Sequence, residues 1–77
     1  MIPVGFMFIH CKQGSQDGIV EKIRLIPEVA YAYRLDGSYD IVAKVESDSD
    51  VKFTSAISKI RTFSDILNTD TIVGFKR

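Results

Sequence analysis

The residues best suited to bind a small charged ligand lie in two short segments. The first comprises Gly37, Ser38, Tyr39 and Asp40, which follow Asp36 at a predicted turn. Asp40 falls just inside a predicted strand, where aspartate is disfavoured. Its carboxylate could accept hydrogen bonds from the backbone of its own turn, or it could bind an ammonium group. Backbone N–H groups exposed by the turn could bind a carboxylate at the same place.

The second segment carries two threonines in an otherwise apolar strand row. Thr69 and Thr71 share a strand face with Leu67 and Val73, because side chains alternate along a strand. Threonine is common in strands, so each hydroxyl alone has a plain structural explanation. Together with the turn, the two hydroxyls could supply what a free amino acid needs. That is a set of donors for its carboxylate and an acceptor for its ammonium group.

The other reactive residues do not form a recognisable catalytic or metal site. His10 and Cys11 are neighbours, and consecutive strand residues point to opposite faces, so they are not expected to act as a nucleophile and its base. Asp48 and Asp50 lack the further oxygen ligands and the glycine of a calcium loop, and they suit helix capping instead. We therefore expect no enzyme activity, no metal and no cofactor.

The elements that must position these residues follow from the apolar spacing. An apolar segment over Pro3–Cys11 predicts a strand that is covered on both faces and is therefore central. Ser15 is expected to cap a helix that runs to Ile26, where Pro27 ends it. Two helices show apolar residues at intervals of four and then three: Ile19, Ile23 and Ile26 in the first, and Phe53, Ile57 and Ile60 in the second.

A β-hairpin is predicted between the two helices. Val29–Leu35 and Ser38–Glu46 both alternate, and Asp36–Gly37 between them is a favoured pair for a two-residue turn. In the second of these strands, one face is expected to carry Tyr39, Ile41, Ala43 and Val45.

A closing strand over Ile66–Phe75 completes the order βαββαβ. Right-handed crossovers joined by a hairpin give an α+β, ferredoxin-like fold: a four-stranded antiparallel sheet with its first and third strands central and both helices on one face. The other face would be apolar and uncovered, which marks an interaction surface. We expect two sheets to pack face to face in a homodimer of the dimeric α/β-barrel type. Further association into a higher homo-oligomer is also expected.

Length and composition exclude several classes of function. With 77 residues, the chain is expected to form one domain over residues 1–77, and a core of this size is marginal without association. Ten basic and ten acidic residues cancel, so direct nucleic-acid binding is not expected. The apolar run Ile2–Ile9 is too short to span a bilayer and does not resemble a signal peptide. A single cysteine agrees with a cytoplasmic location.

Three segments make the chain similar to a known family, the C-terminal ligand-binding domain of the Lrp/AsnC (leucine-responsive) regulators. They are Ile26–Val29, Asp36–Val45 and Thr69–Val73. The middle segment is the most specific, because its glycine, aromatic residue and aspartate recur in that order across the family. The resemblance covers nearly the whole chain.

This resemblance implies the βαββαβ fold, dimers formed through the sheets, and small effectors, usually amino acids, bound where dimers meet. It places effector contacts at Gly37, Tyr39, Asp40, Thr69 and Thr71. Full-length members carry a helix-turn-helix domain before the first strand, and this sequence resembles the stand-alone form without that domain.

The sequence therefore favours an effector-binding and oligomerisation module that senses a free amino acid or similar small metabolite. Such a module would act in transcriptional or metabolic regulation through partner proteins, with a full-length Lrp/AsnC regulator as one candidate partner. Two other classes remain open, because a fold alone does not define a function. One is an oligomerisation adaptor without a ligand. The other is a cofactor-free, monooxygenase-like enzyme of the dimeric α+β barrel class, for which only His10 is available as a reactive residue.

Overall fold

The strands and helices follow the predicted order. The computed structural model describes residues 1–77 and contains β1 (Ile2–Cys11), α1 (Gln16–Arg24), β2 (Val29–Arg34), β3 (Ile41–Glu46), α2 (Asp50–Arg61) and β4 (Ile66–Lys76). The strands form one antiparallel sheet in the order β2-β3-β1-β4. The first and third strands are central and both helices cover the same face, which confirms the predicted α+β, ferredoxin-like fold.

Strand β1 supplies the middle of the core. Alternate residues of this strand face the helices, and Met7 and Ile9 are completely buried there. Gly5 lies on the same side beneath α2, and an added Cβ atom would come within 3.1 Å of the Phe53 ring. The missing side chain at position 5 therefore lets α2 approach the sheet closely.

The buried residues of both helices repeat the predicted apolar spacing. At the start of α2, the Ser49 hydroxyl oxygen accepts a hydrogen bond from the Lys52 N–H at 3.2 Å. The prediction that Ser15 caps α1 in the same way is wrong: Ser15 occupies the capping position, but its hydroxyl donates to the Lys12 carbonyl at 2.6 Å. Helix α1 also ends before the predicted Ile26. Neither helix is long and apolar enough to cross a membrane.

The connection between β2 and β3 is longer than predicted. Residues 35–40 join the two strands, in place of a two-residue turn at Asp36–Gly37. No residue of this segment has the positive φ that a two-residue turn of that sequence would need. The Leu35 N–H donates to the Asp40 carbonyl at 2.8 Å and closes the base of the segment. We refer to residues 35–40 as the β2–β3 loop.

The sheet face opposite the helices, called here the open face, is uncovered and partly apolar. It carries Phe6 and Phe8 of β1, with Ile72 paired to Phe6 across β4 and Val42 paired to Phe8 across β3. Ile72 is 63% exposed. The chain therefore presents an apolar surface that none of its own elements covers.

Candidate functional site

Tyr39 brings the β2–β3 loop onto the open face. Its ring stacks on the His10 imidazole, with centroids 4.4 Å apart and 13° between the planes, and its centroid lies 5.4 Å from that of Phe8. Its hydroxyl donates to the Asp70 carboxylate on β4, and this bond raises the pKa of Tyr39. The prediction that Tyr39 shares a face with Ile41 is wrong. Tyr39 belongs to the loop, whereas Ile41 begins β3 and is completely buried.

His10 is hydrogen bonded through both ring nitrogens. Nδ1–H donates to the Asn68 side-chain oxygen at 2.6 Å, and Nε2–H donates to the Ser38 carbonyl at 2.5 Å. Only the protonated ring carries both N–H groups. The bond to Asn68, followed by the bond to Ser38, therefore raises the pKa of His10 above its ordinary value of 6.5, against a smaller lowering by desolvation. The carboxylates of Asp40 and Asp70 act in the same direction as the bonds.

Asp40 extends the strand pairing beyond the first residue of β3. Its Oδ2 accepts a hydrogen bond from the Cys11 N–H at 2.9 Å, and its own N–H donates to the Ile9 carbonyl at 2.9 Å. The side chain thus supplies an acceptor that a backbone carbonyl supplies in a regular ladder. This role accounts for an aspartate at the edge of a strand, where the residue is otherwise disfavoured. The second carboxylate oxygen, Oδ1, accepts no hydrogen bond from the chain.

Gly37 and Ser38 are exposed in the β2–β3 loop. The Ser38 carbonyl accepts the His10 bond, whereas the Ser38 hydroxyl has no hydrogen bond within the chain. We refer to residues 37–40 as the loop group. Its unused polar atoms include one hydroxyl and one carboxylate oxygen.

Thr69 and Thr71 point away from the loop group. In the register of β4 with β1 they pair with Ile9 and Met7, so their side chains leave the sheet on the helix side. Arg61, the last residue of α2, reaches both: its Nε–H donates to Thr69 Oγ1 at 3.4 Å, and its Nη2–H donates to Thr71 Oγ1 at 3.2 Å. We refer to Thr69, Thr71 and Arg61 as the threonine group.

Arg61 was not among the residues that the sequence pattern predicted for the site. The signal that could have found it is its position in the last turn of a helix that leads directly into β4. A cation at that position is also explained by the negative end of the helix dipole, which is why the pattern did not single it out.

A single chain does not bring the loop group and the threonine group together. Tyr39 bonds to Asp70, which lies between Thr69 and Thr71 in sequence but points to the open face. No surface hollow of the chain is lined by residues of either group. No cluster of three or more histidine, cysteine, aspartate or glutamate side chains could hold a metal ion. Each group alone is therefore an exposed surface and not an enclosed pocket.

A four-stranded βαββαβ sheet with both helices on one face places the chain in the ferredoxin-like α+β class. A family model for the Lrp/AsnC ligand binding domain matches residues 4–77, and the chain belongs to this family. The predicted family resemblance is thereby confirmed.

Solved structures agree with this assignment. A hypothetical protein from Pyrococcus horikoshii is 31% identical, with a TM-score of 0.89, and the match covers 100% of this chain and 93% of that one. The protein FFRP-DM1 is 32% identical, with a TM-score of 0.86, over 97% of this chain and 100% of that one. AsnC of Escherichia coli is 27% identical, with a TM-score of 0.79, over 97% of this chain and 52% of that one. This chain therefore spans about half the length of AsnC. No curated protein sequence gives a significant match.

Proposed function

We propose that this module of the Lrp/AsnC ligand-binding family senses a free amino acid or a similar small metabolite. Its contribution to transcriptional or metabolic regulation would pass through partner proteins, with a full-length Lrp/AsnC regulator as one candidate. The observation that carries the proposal is the family match, which extends over residues 4–77 and thus includes the loop group and β4.

The proposed binding site combines the loop group of one protomer with the threonine group of another. The two groups lie on opposite faces of the same sheet, so a ligand small enough to be an amino acid cannot contact both within one chain. Association of copies would bring them together. It would also enclose a ligand that either surface alone leaves exposed. A ligand that prefers the associated form must in turn stabilise that form.

The proposed homodimer forms through the open face. Phe6, Phe8, Val42 and Ile72 make an apolar surface there, and a chain of this length gains a second core by covering it. Binding between such dimers would produce a higher homo-oligomer. A stable monomer at micromolar concentration in light scattering would contradict the proposed dimer.

The proposed activity is binding without catalysis. His10 is the residue that a monooxygenase-like enzyme would need, but both of its ring nitrogens are already hydrogen bonded to groups of the chain. Proton transfer from a substrate to this ring would require one of these bonds to break. Turnover of any substrate that is lost in His10→Ala would contradict this proposal and favour the enzyme class.

Sequence-specific retention of duplex DNA would contradict the separate proposal that the module does not bind nucleic acid directly.

A thermal-shift screen against free amino acids tests the sensor function, because a ligand that binds only the folded state raises the unfolding temperature. Calorimetric titration of the best ligand then tests the site. Asp40→Ala should weaken binding by about 1.5–3 kcal/mol if the carboxylate bonds the ammonium group, and Thr71→Val by about 0.5–1.5 kcal/mol for a neutral hydrogen bond. If no amino acid binds the wild type at millimolar concentration, the sensor function is wrong. The oligomerisation adaptor is then the better account, since the open face serves it equally well.

A further inference from the structure

Arg61 carries a positive charge that no acid of the chain neutralises. The chain has four ion pairs, in which Lys12, Arg34, Lys44 and Lys76 meet nearby carboxylates, and none of them includes Arg61. The hydrogen-bond partners of its guanidinium are instead two neutral hydroxyls, those of Thr69 and Thr71.

The threonine group contains more donors than acceptors. A guanidinium has five N–H groups, and Arg61 uses two of them on the threonines, so three remain. Each threonine oxygen accepts from Arg61, which leaves both hydroxyl protons available, and neither hydroxyl donates to any atom of the chain. The group therefore presents five donors without an acceptor.

The geometry leaves the outer edge of the guanidinium free. Nε–H and Nη2–H, which the threonines occupy, form one edge of the planar group. The opposite pair, on Nη1 and Nη2, remains open, and this pair matches the two oxygens of a carboxylate. The negative end of α2 explains a cation at position 61, but it does not explain why the guanidinium extends to two hydroxyls on β4.

We propose that Arg61, positioned by Thr69 and Thr71, binds the carboxylate of a small ligand. This inference rests on the proposed sensor function for the identity of the ligand, and it adds the residue that recognises the ligand's negative charge. Val73 pairs with Gly5, lies on the same strand face as the two threonines and is 47% exposed. A ligand held by its carboxylate at Arg61 therefore has an apolar side chain beside it.

The experiment is an NMR titration of the wild-type protein with acetate, which is a carboxylate without an ammonium group. Sodium chloride at equal ionic strength controls for screening, and acetamide supplies a neutral molecule of the same shape. Acetate should shift the Arg61 Nε–H signal and the amide signals of Thr69 and Thr71 along a saturable curve, and acetamide should not. The Arg61 signal is assigned by its loss in Arg61→Lys.

Two variants separate the guanidinium from charge in general. Arg61→Gln should weaken acetate binding at least about tenfold, because it removes the bidentate donor. Lys59→Gln removes one charge from the same exposed turn of α2 and should change acetate affinity less than about twofold, because exposed charges are screened by salt. Equal losses in the two variants would overturn the proposed role of Arg61.

Failure of this inference can be told apart from failure of the sensor function. If an amino acid binds the wild type and Arg61→Gln equally well, the inference is wrong and the sensor function stands. If acetate gives no saturable shift beyond that of chloride, the inference is wrong whatever the amino-acid screen shows. If acetate binds at Arg61 but no amino acid does, the carboxylate site is supported and the amino-acid sensor is not.

Discussion

The loop group and the threonine group lie on opposite faces of one sheet and use their polar atoms in opposite ways. Around the loop, Tyr39, both ring nitrogens of His10 and one oxygen of Asp40 are bonded within the chain. Around the threonines, Arg61 has only hydroxyl partners and keeps donors that nothing in the chain accepts. The bonds around Tyr39 hold the β2–β3 loop against the sheet. The bonds around Arg61 leave N–H and O–H donors without an acceptor in the chain.

This difference arises from the alternation of side chains along β4. Asp70 points to the open face and joins the loop network, while its two sequence neighbours point to the helix side and meet Arg61. Consecutive residues of one strand therefore take part in separate networks: one face carries the bonds that hold the loop, and the other carries the donors of Arg61 that no atom of the chain accepts. Each of the following predictions tests that separation.

The largest effect is expected from placing a charge on the open face. Ile72→Lys should raise the dissociation constant of the proposed homodimer at least about 100-fold, because an unpaired charge would have to be buried in the proposed open-face interface. Val73→Lys makes a similar change one residue further on, on the helix side, and should leave dimerisation nearly unchanged. Analytical ultracentrifugation over a range of concentrations measures both. Equal dissociation in the two variants would show that assembly does not depend on the open face.

The next effect concerns stability. Tyr39→Ala should lower the free energy of unfolding, because it removes the ring stacked on His10 and the bond to Asp70. Arg61→Ala should lower it by less than about 0.5 kcal/mol, as expected for an exposed residue without a specific structural role. Urea denaturation at one fixed protein concentration compares them, since stability depends on concentration in an oligomer. A larger loss in Arg61→Ala would reverse the roles assigned to the two groups.

Much of the fold follows from local patterns in the sequence. Apolar residues on both faces of Pro3–Cys11 predict a central strand, and Met7 and Ile9 are indeed completely buried beneath the helices. The strand order follows as well, because the handedness of the crossovers leaves few alternatives. These predictions succeed because they depend on which side chains are buried. A one-residue shift in strand pairing would move the buried side chains to the opposite face of the sheet, so the apolar pattern excludes it.

The β2–β3 loop shows where local patterns are insufficient. Asp36–Gly37 favours a tight turn, but the loop conformation is set by contacts with distant residues. His10 bonds the Ser38 carbonyl, and the Cys11 N–H bonds the Asp40 carboxylate. The mistaken turn placed Tyr39 on the wrong face, and this error hid the fact that the two predicted halves of the site face apart. The choice between a two-residue turn and the longer loop depends on the register of β1 with β3. That register pairs residues that are distant in the sequence.

A smaller loss of stability is expected at Asp40. Asp40→Ala should lower the free energy of unfolding by about 1–2 kcal/mol, because the Cys11 N–H loses its acceptor. Asp40→Asn keeps a side-chain oxygen in the same position and should cost less than half as much. Urea denaturation of both variants measures the difference. Equal losses in the two would mean that the negative charge matters and the strand-like bond does not.

The smallest effect is expected from pH. The bonds to Asn68 and Ser38 raise the pKa of His10 above 6.5, so the folded protein holds this proton more tightly than the unfolded chain does. The stabilisation that this tighter proton binding gives the folded state is fully present below pH 6.5. It should be lost as the pH rises through the folded-state pKa of His10. Glu46 has its pKa lowered by Lys76, so it titrates below 4.5 and does not contribute between pH 6 and 8.

The pH effect can be assigned to His10 with one variant that keeps the shape of the cluster. His10→Phe retains a ring to stack on Tyr39 but cannot bind a proton. The wild type should lose stability relative to this variant as the pH rises above 6.5, in urea denaturations repeated at each pH. Because the bonds of His10 hold the β2–β3 loop and not Arg61, the pH should change the amide signals of the loop residues more than those of Thr69 and Thr71. Parallel pH profiles in wild type and His10→Phe would mean that His10 does not hold the loop through its proton. The β2–β3 loop would then have to be held by the contacts of Tyr39 and Asp40.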